Sequence, residues 1–255
     1  LSLCTLCPRN CNADREKAVG VCSVKGLKIA KASLHFGEEP CISGADGRGA
    51  GTIFFSGCPL KCIFCQNMPI SSDGYGKEIS PARLGEIMLE LQEKGAHNID
   101  LVTPTHYTDV IADVLEKVKP KLDIPVVYNC GGYEKVETLK MLDGLVDIYL
   151  PDFKYASSEL AEKYSSAPDY PDTAAKAIAE MYRQRGRALF DNSGMMKSGV
   201  LVRHLVLPGC RHDSMKVLDI LSAIVPPADI RISLMRQYTP CGKALEIKNL
   251  SRRLT

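Results

Sequence analysis

The chain has 255 residues, of which 45% are hydrophobic, and it carries 32 Lys and Arg against 30 Asp and Glu. This composition supports one large α/β domain with a small appendage, and the near-neutral charge gives no signal for nucleic acid or a membrane as partner. No stretch reaches transmembrane length and the first residues do not form a secretory signal, so we expect a cytoplasmic protein.

Four cysteines near the start of the chain form the first candidate site. Cys4, Cys7, Cys11 and Cys22 are spaced C-x2-C-x3-C-x10-C. Without a secretory signal, disulfides are a poor explanation for this group. Four thiolates at this spacing can close around one site, and either structural zinc or an electron-carrying [4Fe–4S] cluster satisfies the pattern.

Four other cysteines show no such pattern. Cys41 precedes the first predicted strand, and Cys130, Cys210 and Cys241 are scattered along the chain. Isolated cysteines in a globular protein are usually buried small apolar side chains, and we interpret all four in this way. For Cys41, a role as ligand or hydrogen donor near one of the metal sites also stays open.

The second candidate site is the segment "GCPLKCIFCQN" at 57–67, which directly follows the apolar run "GTIFF". It places Cys58, Cys62 and Cys65 on one compact loop with the spacing C-x3-C-x2-C. Zinc sites and ordinary iron–sulfur clusters take four protein ligands. Three thiolates therefore indicate either a [4Fe–4S] cluster whose fourth iron can bind a small molecule, or a zinc site with a fourth ligand from elsewhere in the chain.

The rest of the chain alternates short apolar runs with amphipathic stretches, which predicts strands and helices in turn. The predicted strands cover 51–57, 98–104, 124–132, 146–154, 199–209 and 229–235. The predicted helices cover 80–95, 107–122, 133–142, 158–164, 171–185 and 213–224, and a further helix is expected to start near 249. Pro81 and Gly95 mark the two ends of the first helix.

Six strands, each followed by a helix, predict a parallel α/β sheet whose apolar strands are buried on both faces. A partial (β/α)6 barrel and an open doubly wound sheet both satisfy this pattern. In either architecture the site lies at the carboxyl ends of the strands. That rule brings the cysteine loop together with the segments that follow the other strands, at 103–107, 129–132, 152–154, 208–211 and 237–238.

The cysteine loop, with the aromatic Phe64 before its last cysteine, resembles the signature of the radical S-adenosylmethionine (SAM) enzymes. The segments "TIFFSGCPLKCIFCQN", "VDIYLPDFK" and "VLVRHLVLPG" are similar to those of the pyruvate formate-lyase activating enzyme and its less characterised homologues. The resemblance covers about residues 4 to 240. It implies a partial (β/α)6 TIM-like barrel, here with a small Cys-rich N-terminal extension, and a cluster loop after the first strand.

The same resemblance implies the chemistry of the loop. Cys58, Cys62 and Cys65 are expected to bind a [4Fe–4S] cluster, and Phe64 is expected to lie against the adenine of SAM. In this family SAM binds the open iron, and its reductive cleavage gives a 5′-deoxyadenosyl radical that abstracts hydrogen from a second substrate.

Further residues match the positions that hold SAM in related enzymes. Lys154 and Arg203 are expected to hold the methionine carboxylate or the ribose, with Asp152 beside them. Asn129 and Tyr238 stand where those enzymes carry an acidic residue and a histidine. Two structural alternatives stay open, because Lys154 can form a strand-end ion pair with Asp152, and Arg203, inside an apolar strand, can take Asp152 as its buried partner.

This sequence departs from the family after the second strand. The Gly-Gly-Glu segment that receives the methionine amino group in those enzymes is absent, and the chain has "VTPTHYTD" there. We expect Thr103 and Thr105 to offer backbone carbonyl or hydroxyl groups in its place, with His106 lining the pocket.

The sequence therefore predicts an activating-enzyme-like oxidoreductase that cleaves SAM and acts on a second substrate. That substrate is a glycyl residue of a glycyl radical enzyme, a peptide side chain or a small molecule. We expect a reductase or flavodoxin-type electron donor, and anaerobic or protected surroundings for the open cluster. The alternative is a non-catalytic iron–sulfur or zinc protein that carries electrons or scaffolds a complex.

We expect three regions along the chain. A Cys-rich extension with a metal site covers 1–50, the barrel covers 51–240, and a tail covers 241–255. The absence of an initiator methionine and the abrupt end of the sequence predict that residues are missing at both ends.

Overall fold

The structure, a computed structural model, describes residues 3–15 and 17–254. Within these ranges the chain forms a nine-stranded sheet flanked by helices. In chain order the strands are β1 (Lys28–His35), β2 (Ala50–Phe55), β3 (Lys77–Glu78), β4 (Ile99–Val102), β5 (Val126–Cys130), β6 (Ile148–Pro151), β7 (Leu189–Phe190), β8 (Met196–Leu205) and β9 (Arg231–Met235). The helices are α1 (Pro40–Ser43), α2 (Met68–Ser71), α3 (Pro81–Glu93), α4 (Thr108–Val118), α5 (Val136–Leu139), α6 (Ser158–Ser165), α7 (Tyr170–Arg185) and α8 (Arg211–Ile224).

Six strands form the parallel body of the sheet. They lie side by side in the order β2, β4, β5, β6, β8 and β9, and each neighbouring pair is parallel. These are the six predicted strands. The sheet curves without closing, so the predicted TIM-like partial barrel is confirmed.

Three antiparallel strands lie outside the predicted set. β1 pairs with β2, β3 extends the outer edge of β1, and β7 pairs with the start of β8. Lys31 to His35 of β1 alternate polar and apolar residues, a signal for a strand that the prediction missed. Seven of the eight residues of β1 are half-buried. The part of the chain predicted as an N-terminal extension thus contributes one strand to the sheet.

The predicted helices form, with differences at their ends. The Ser80 hydroxyl accepts a hydrogen bond from the Arg83 amide at 3.1 Å and caps the start of α3. The predicted helix at 133–142 is shorter, because α5 covers one turn and a 3-10 turn follows. Residues 249–254 form turns and bends, so the helix predicted there is absent. No helix in the described ranges is both long and apolar enough to cross a bilayer.

Side chains link the two ends of the open sheet. Glu38, just after β1, accepts a hydrogen bond from Arg203 of β8 at 3.0 Å. Its neighbour Glu39 accepts one from Ser233 of β9, also at 3.0 Å. Because β1 lies near one end of the strand order and β9 at the other, these contacts bring a carboxylate from the start of the chain into the interior of the barrel.

Candidate functional site

A cavity of about 490 Å³ lies at the carboxyl ends of the parallel strands. This volume is in the range of sites that hold a small molecule or cofactor. The cavity is lined by the three cysteines of the loop after β2 and by charged, amide and aromatic side chains of other elements: Cys58, Cys62, Cys65, Glu38, Lys61, Phe64, Asn129, Asp152, Lys154, Arg203 and Tyr238. The cysteine loop therefore shares one cavity with the ends of β5, β6 and β8.

Two residues with left-handed backbone turn the chain from β2 into the cysteine loop. Gly57 has φ of 88° and Lys61 has φ of 56°. The Gly57 amide donates a hydrogen bond to the Ile70 carbonyl at 2.9 Å, which ties the start of the loop to α2. A Cβ atom at Gly57 would lie 2.5 Å from the Cys22 carbonyl oxygen, so only glycine fits this close approach.

We expect Gly57→Ala to destabilise the protein by more than the roughly 1–2 kcal/mol that left-handed backbone costs a non-glycine residue. The added methyl group collides with backbone, which cannot move aside as a flexible side chain can. The matched control is Gly95→Ala, where φ is 84° and a Cβ meets no atom within 4 Å. Urea unfolding of both variants checks this, and equal losses of stability would show that the collision is relieved without cost.

Two hydroxyl groups face the half-buried sulfur atoms of the loop. The Ser165 hydroxyl donates to the Cys62 sulfur at 2.9 Å, and the Ser71 hydroxyl lies 3.3 Å from the Cys65 sulfur. Hydrogen bonds to thiolate sulfur are among the features that set the reduction potential of an iron–sulfur cluster. The loop therefore presents thiols that are already oriented by neighbouring elements.

Burial keeps the thiols of Cys58 and Cys62 protonated when no metal is bound. Burial raises the pKa of Cys58 to about 12, and the neighbouring Cys62 adds to this effect. Burial also raises the pKa of Cys62, while the Lys154 ammonium opposes it. Since clusters and metals bind thiolates, loading of this site must release protons and is expected to be pH-dependent.

The geometry of the donor atoms also bears on the kind of metal group. Among the described residues, no three His, Cys, Asp or Glu side chains are arranged around a single metal ion. A zinc ion needs its donors converging at about 2.0–2.3 Å, whereas a [4Fe–4S] cluster takes each thiolate on a different iron. Three thiols on one loop at the edge of a cavity match the donor number of a cubane cluster with one open iron.

Arg203 is the centre of the polar floor of the cavity. Its guanidinium donates to Asp152 at 3.0 Å, to Glu38 at 3.0 Å and to the Asn129 side-chain oxygen at 2.6 Å. The Arg203 side chain is 16% exposed, and those of Asp152 and Glu38 are 18% and 11% exposed. The buried anionic partner predicted for Arg203 is therefore present, and it is a pair of carboxylates within the chain.

The Lys154 ammonium lies 2.6 Å from the second oxygen of Asp152. The strand-end ion pair that the sequence left as an alternative is thus formed. The Asp152 carboxylate lies between two cations, which hold its pKa below the ordinary value against the opposing effect of burial. Lys154 also lines the cavity beside Cys62, so the same ammonium faces both the carboxylate and the thiol.

Two aromatic rings lie on the cavity wall next to the cysteines. Phe64 packs edge to face against Tyr238, with ring centroids 6.3 Å apart. The Tyr238 hydroxyl donates to the Leu250 carbonyl at 2.8 Å, which fixes the ring. Both residues border the cavity, although they are only 8% and 2% exposed.

The segment after β4 is divided between the cavity and the core. Thr103 lines the cavity, but Thr105 and His106 do not. The Thr105 hydroxyl donates to buried Glu134 at 2.6 Å. The His106 ring lies 2.8 Å from the Ser56 carbonyl, and burial lowers its pKa to about 3, so this imidazole is neutral. The hydroxyl of Thr105 and the ring of His106 thus support the end of β2 and the neighbouring core.

Glu134, which is 2% exposed, was not predicted as a notable residue. Its carboxylate accepts hydrogen bonds from Thr105 and, at 3.1 Å, from the Tyr128 hydroxyl. Burial raises its pKa to about 7 although these hydrogen bonds oppose the shift. A second buried acid, Asp100 in β4, has its pKa raised to about 8, again chiefly by burial.

Because of Glu134 and Asp100, we expect the free energy of unfolding to fall as the pH rises. Their pKa values are raised on folding, so the folded chain keeps protons that the unfolded chain releases between about pH 5 and pH 8. The free energy of unfolding should therefore decrease across this window, and Glu134→Gln should make the decrease smaller. Urea unfolding at both pH values tests this, with Glu86→Gln, 63% exposed, as the control. An unchanged slope in Glu134→Gln would contradict the prediction.

The missed acids differ in the signal that the sequence offers. Asp100 interrupts the apolar run of β4, so a charge inside a buried strand could have been noticed. Glu38 and Glu134 lie in loop segments beside other polar residues, where a carboxylate is ordinarily solvated. Only the fold shows that both are buried.

The four N-terminal cysteines lie in one compact segment. Cys4 and Ala13 are joined by a hydrogen bond from the Cys4 amide at 3.0 Å. A Cβ atom at Gly20 would lie 3.4 Å from the sulfur atoms of both Cys11 and Cys22. Burial raises the pKa of Cys7 to about 11, with Glu134 and the thiols of Cys22 and Cys4 adding to it. All eleven cysteines of the chain are free thiols.

Comparisons with known proteins agree with this site. The model of the radical SAM superfamily matches residues 52–209. Uncharacterized protein MJ0674 of Methanocaldococcus jannaschii is 31% identical over 264 residues, which cover 99% of this chain and 70% of that protein. The fold is similar to that of methylornithine synthase (PylB), with a TM-score of 0.50 at 19% identity, and SuiB of Streptococcus suis, with 0.51 at 13%. The matches cover 78% and 79% of this chain, but 56% and 44% of those two structures.

Proposed function

The chain belongs to the radical SAM superfamily, and from this premise we propose that it cleaves SAM reductively and removes hydrogen from a second substrate. Cys58, Cys62 and Cys65 would hold a [4Fe–4S] cluster at the carboxyl end of β2. When bound, this cluster supplies the single electron that splits a carbon–sulfur bond of the SAM sulfonium and so generates the 5′-deoxyadenosyl radical.

One observation carries the proposal. Three thiols from a single loop border a cavity of about 490 Å³ that also contains the ends of the neighbouring strands. Three protein ligands leave one iron of a cubane cluster for a small molecule, and the cavity gives that molecule space. A closed electron-transfer cluster would need a fourth ligand and no adjoining cavity.

Different residues of the cavity lining can bind different parts of SAM. Phe64 and Tyr238 offer aromatic surface for the adenine. Lys154 supplies a positive charge for the methionine carboxylate, next to the thiol of Cys62. Thr103 offers polar groups after β4.

Arg203 has a different role in this proposal. It already donates to Asp152, Glu38 and Asn129, so we assign it to positioning these groups rather than to direct contact with SAM. Asp152 in turn orients Lys154, because one carboxylate accepts from both cations. The two structural alternatives for these residues are thus part of how the cavity is built.

For the second substrate, the resemblance to activating enzymes points to a glycyl residue of a partner protein, and a peptide side chain or a small molecule is equally open. A reductase or flavodoxin-type protein would provide the electron. An iron exposed to the cavity would react with oxygen, so anaerobic or protected surroundings follow from the same site.

The test is anaerobic reconstitution with iron and sulfide, reduction with dithionite and addition of SAM. We expect 5′-deoxyadenosine and methionine, with about four irons bound through the cysteine loop. S-adenosylhomocysteine instead of 5′-deoxyadenosine would indicate methyl transfer without a radical. A protein with its cluster intact that gives neither product, or with zinc at the loop, would overturn the proposal.

A further inference from the structure

The N-terminal cysteine segment lies directly against the candidate cluster loop. The Cys58 amide donates a hydrogen bond to the Cys22 carbonyl at 3.2 Å. The Lys61 ammonium donates to the Ser23 hydroxyl. Arg9 donates to the Pro59 carbonyl at 2.8 Å from the other side of the segment. Residues before and after Cys11 in the sequence therefore form hydrogen bonds with the loop that carries Cys58.

The segment is also fixed to the barrel itself. The Thr138 hydroxyl of α5 donates to the Leu6 carbonyl at 2.8 Å, and Lys135 donates to the Thr5 carbonyl at 3.0 Å. Arg9 donates to the Ser165 carbonyl at 2.9 Å. The four cysteines are thus held in a defined position next to the cavity, as a built site requires.

The arrangement of the sulfur atoms leaves room for a bound group. The sulfur atoms of Cys11 and Cys22 are close to one another, because each lies 3.4 Å from the position that a Cβ at Gly20 would take. The chain reaches this arrangement through left-handed backbone at Asn10 and Asn12, with φ of 43° and 51°. Cys7 and Cys22 are 6% and 5% exposed, so half of the thiols face away from solvent.

We propose that Cys4, Cys7, Cys11 and Cys22 bind a second [4Fe–4S] cluster that passes electrons to the one held by the loop at 57–65. This inference rests on the proposed function. Four protein ligands leave no open iron, so this cluster would carry electrons and bind no substrate. Structural zinc is redox-inert and would gain nothing from its place beside the loop.

An electron would pass between the two sites across few covalent bonds and one hydrogen bond. The path runs along the backbone of Cys22, across one hydrogen bond of 3.2 Å, and into the backbone of Cys58. One electron from a reductase or flavodoxin-type donor would lower the oxidation state of the N-terminal cluster by one. The same electron then reduces the loop cluster, and the N-terminal cluster returns to its oxidised state, ready for the next electron.

Metal content gives the first test. Reconstituted wild-type protein should contain about eight irons per chain, and the variant Cys4→Ala with Cys11→Ala about four. Electron paramagnetic resonance of the reduced wild type should show two signals, of which SAM changes only one. The variant should keep the signal that SAM changes. Cys210→Ala, which removes a thiol outside both groups, should retain all of its iron.

The second test separates electron relay from catalysis. Titanium(III) citrate, a small reductant, can reach the loop cluster directly, whereas a flavodoxin must deliver electrons through the protein surface. We expect the double variant to form 5′-deoxyadenosine at close to the wild-type rate with titanium(III) citrate, and to lose at least about 90% of the rate with reduced flavodoxin.

The outcomes are distinguishable. About one zinc and four irons in the wild type would overturn the second cluster, and this measurement needs no variant. A double variant that lacks four irons but keeps its flavodoxin-driven rate would overturn the relay. Wild-type protein with about eight irons that forms no 5′-deoxyadenosine with either reductant would overturn the proposed function while supporting the second cluster.

Discussion

Replacing Cys62 by alanine is expected to reduce 5′-deoxyadenosine formation to the level measured without protein. Cys62 is the central of three ligands, its sulfur accepts a hydrogen bond from Ser165 at 2.9 Å, and it lies next to Lys154. With two thiolates left, two irons of a cubane cluster lack a protein ligand, so the cluster should not survive reconstitution. Iron and sulfide content and product formation are measured on the same preparation.

The matched control for this experiment is Cys210→Ala. Cys210 is half-buried at the start of α8 and does not line the cavity. This variant should keep both iron and product, which separates a ligand effect from the general loss of a thiol. If Cys62→Ala kept its iron and its product, another thiol would have to replace it. The first to examine would be Cys241, whose sulfur donates to the Phe64 carbonyl at 3.2 Å.

Arg203→Ala is expected to lower the free energy of unfolding by about 3–5 kcal/mol, because it leaves the shielded Glu38 carboxylate without its ion-pair partner and Asp152 with Lys154 alone. Asp152 and Glu38 both accept from this guanidinium and are largely shielded from water. Chemical denaturation at neutral pH measures the loss. The control is Arg83→Ala, whose side chain is 42% exposed and pairs with exposed glutamates of α3, and whose cost should be much smaller because water screens these charges.

A combined variant tests the reason for this loss. Arg203→Met together with Glu38→Gln removes both charges of this pair and leaves Asp152 with Lys154 as its partner, so it should be more stable than Arg203→Ala. If the combined variant were less stable than the single one, the loss would come from packing of the arginine stem. Loss of SAM cleavage is expected in both, because Lys154 is oriented through Asp152.

Several features of this protein follow from local sequence alone. The loop at 57–67 shows its chemistry because its three cysteines lie within eight consecutive residues, so their spacing needs no knowledge of the fold. α3 is recognisable for a similar reason, since Ser80 and Pro81 start it and Gly95 follows its end. Most of the six parallel strands were found because strands buried on both faces are continuous apolar runs. β9 is the exception, because Arg231, Ile232 and Leu234 are exposed, so the predicted burial on both faces is wrong for this strand.

The role of the segment after β4 was harder to predict from the sequence. "VTPTHYTD" lies at the correct edge of the sheet, yet within it only Val102 and Thr103 border the cavity. Thr105 donates to Glu134, which is 29 residues further along the chain. Strand order places a residue at the correct edge, but the direction of its side chain depends on a 3-10 turn and on a buried acid that the pattern does not reveal.

Only the tertiary structure decided which distant parts of the chain are in contact. Glu38 meets Arg203 across 165 positions, and the Cys22 carbonyl meets the amide of Cys58. Sequence patterns record the period and the ends of each element, because those depend on neighbouring residues. The partners of a buried charge or thiol depend instead on how the whole sheet curves. The spacing of the cysteines, together with the family resemblance that it carries, thus predicted the chemistry of the cysteine loop, while the fold placed the acids and the second cysteine group beside it.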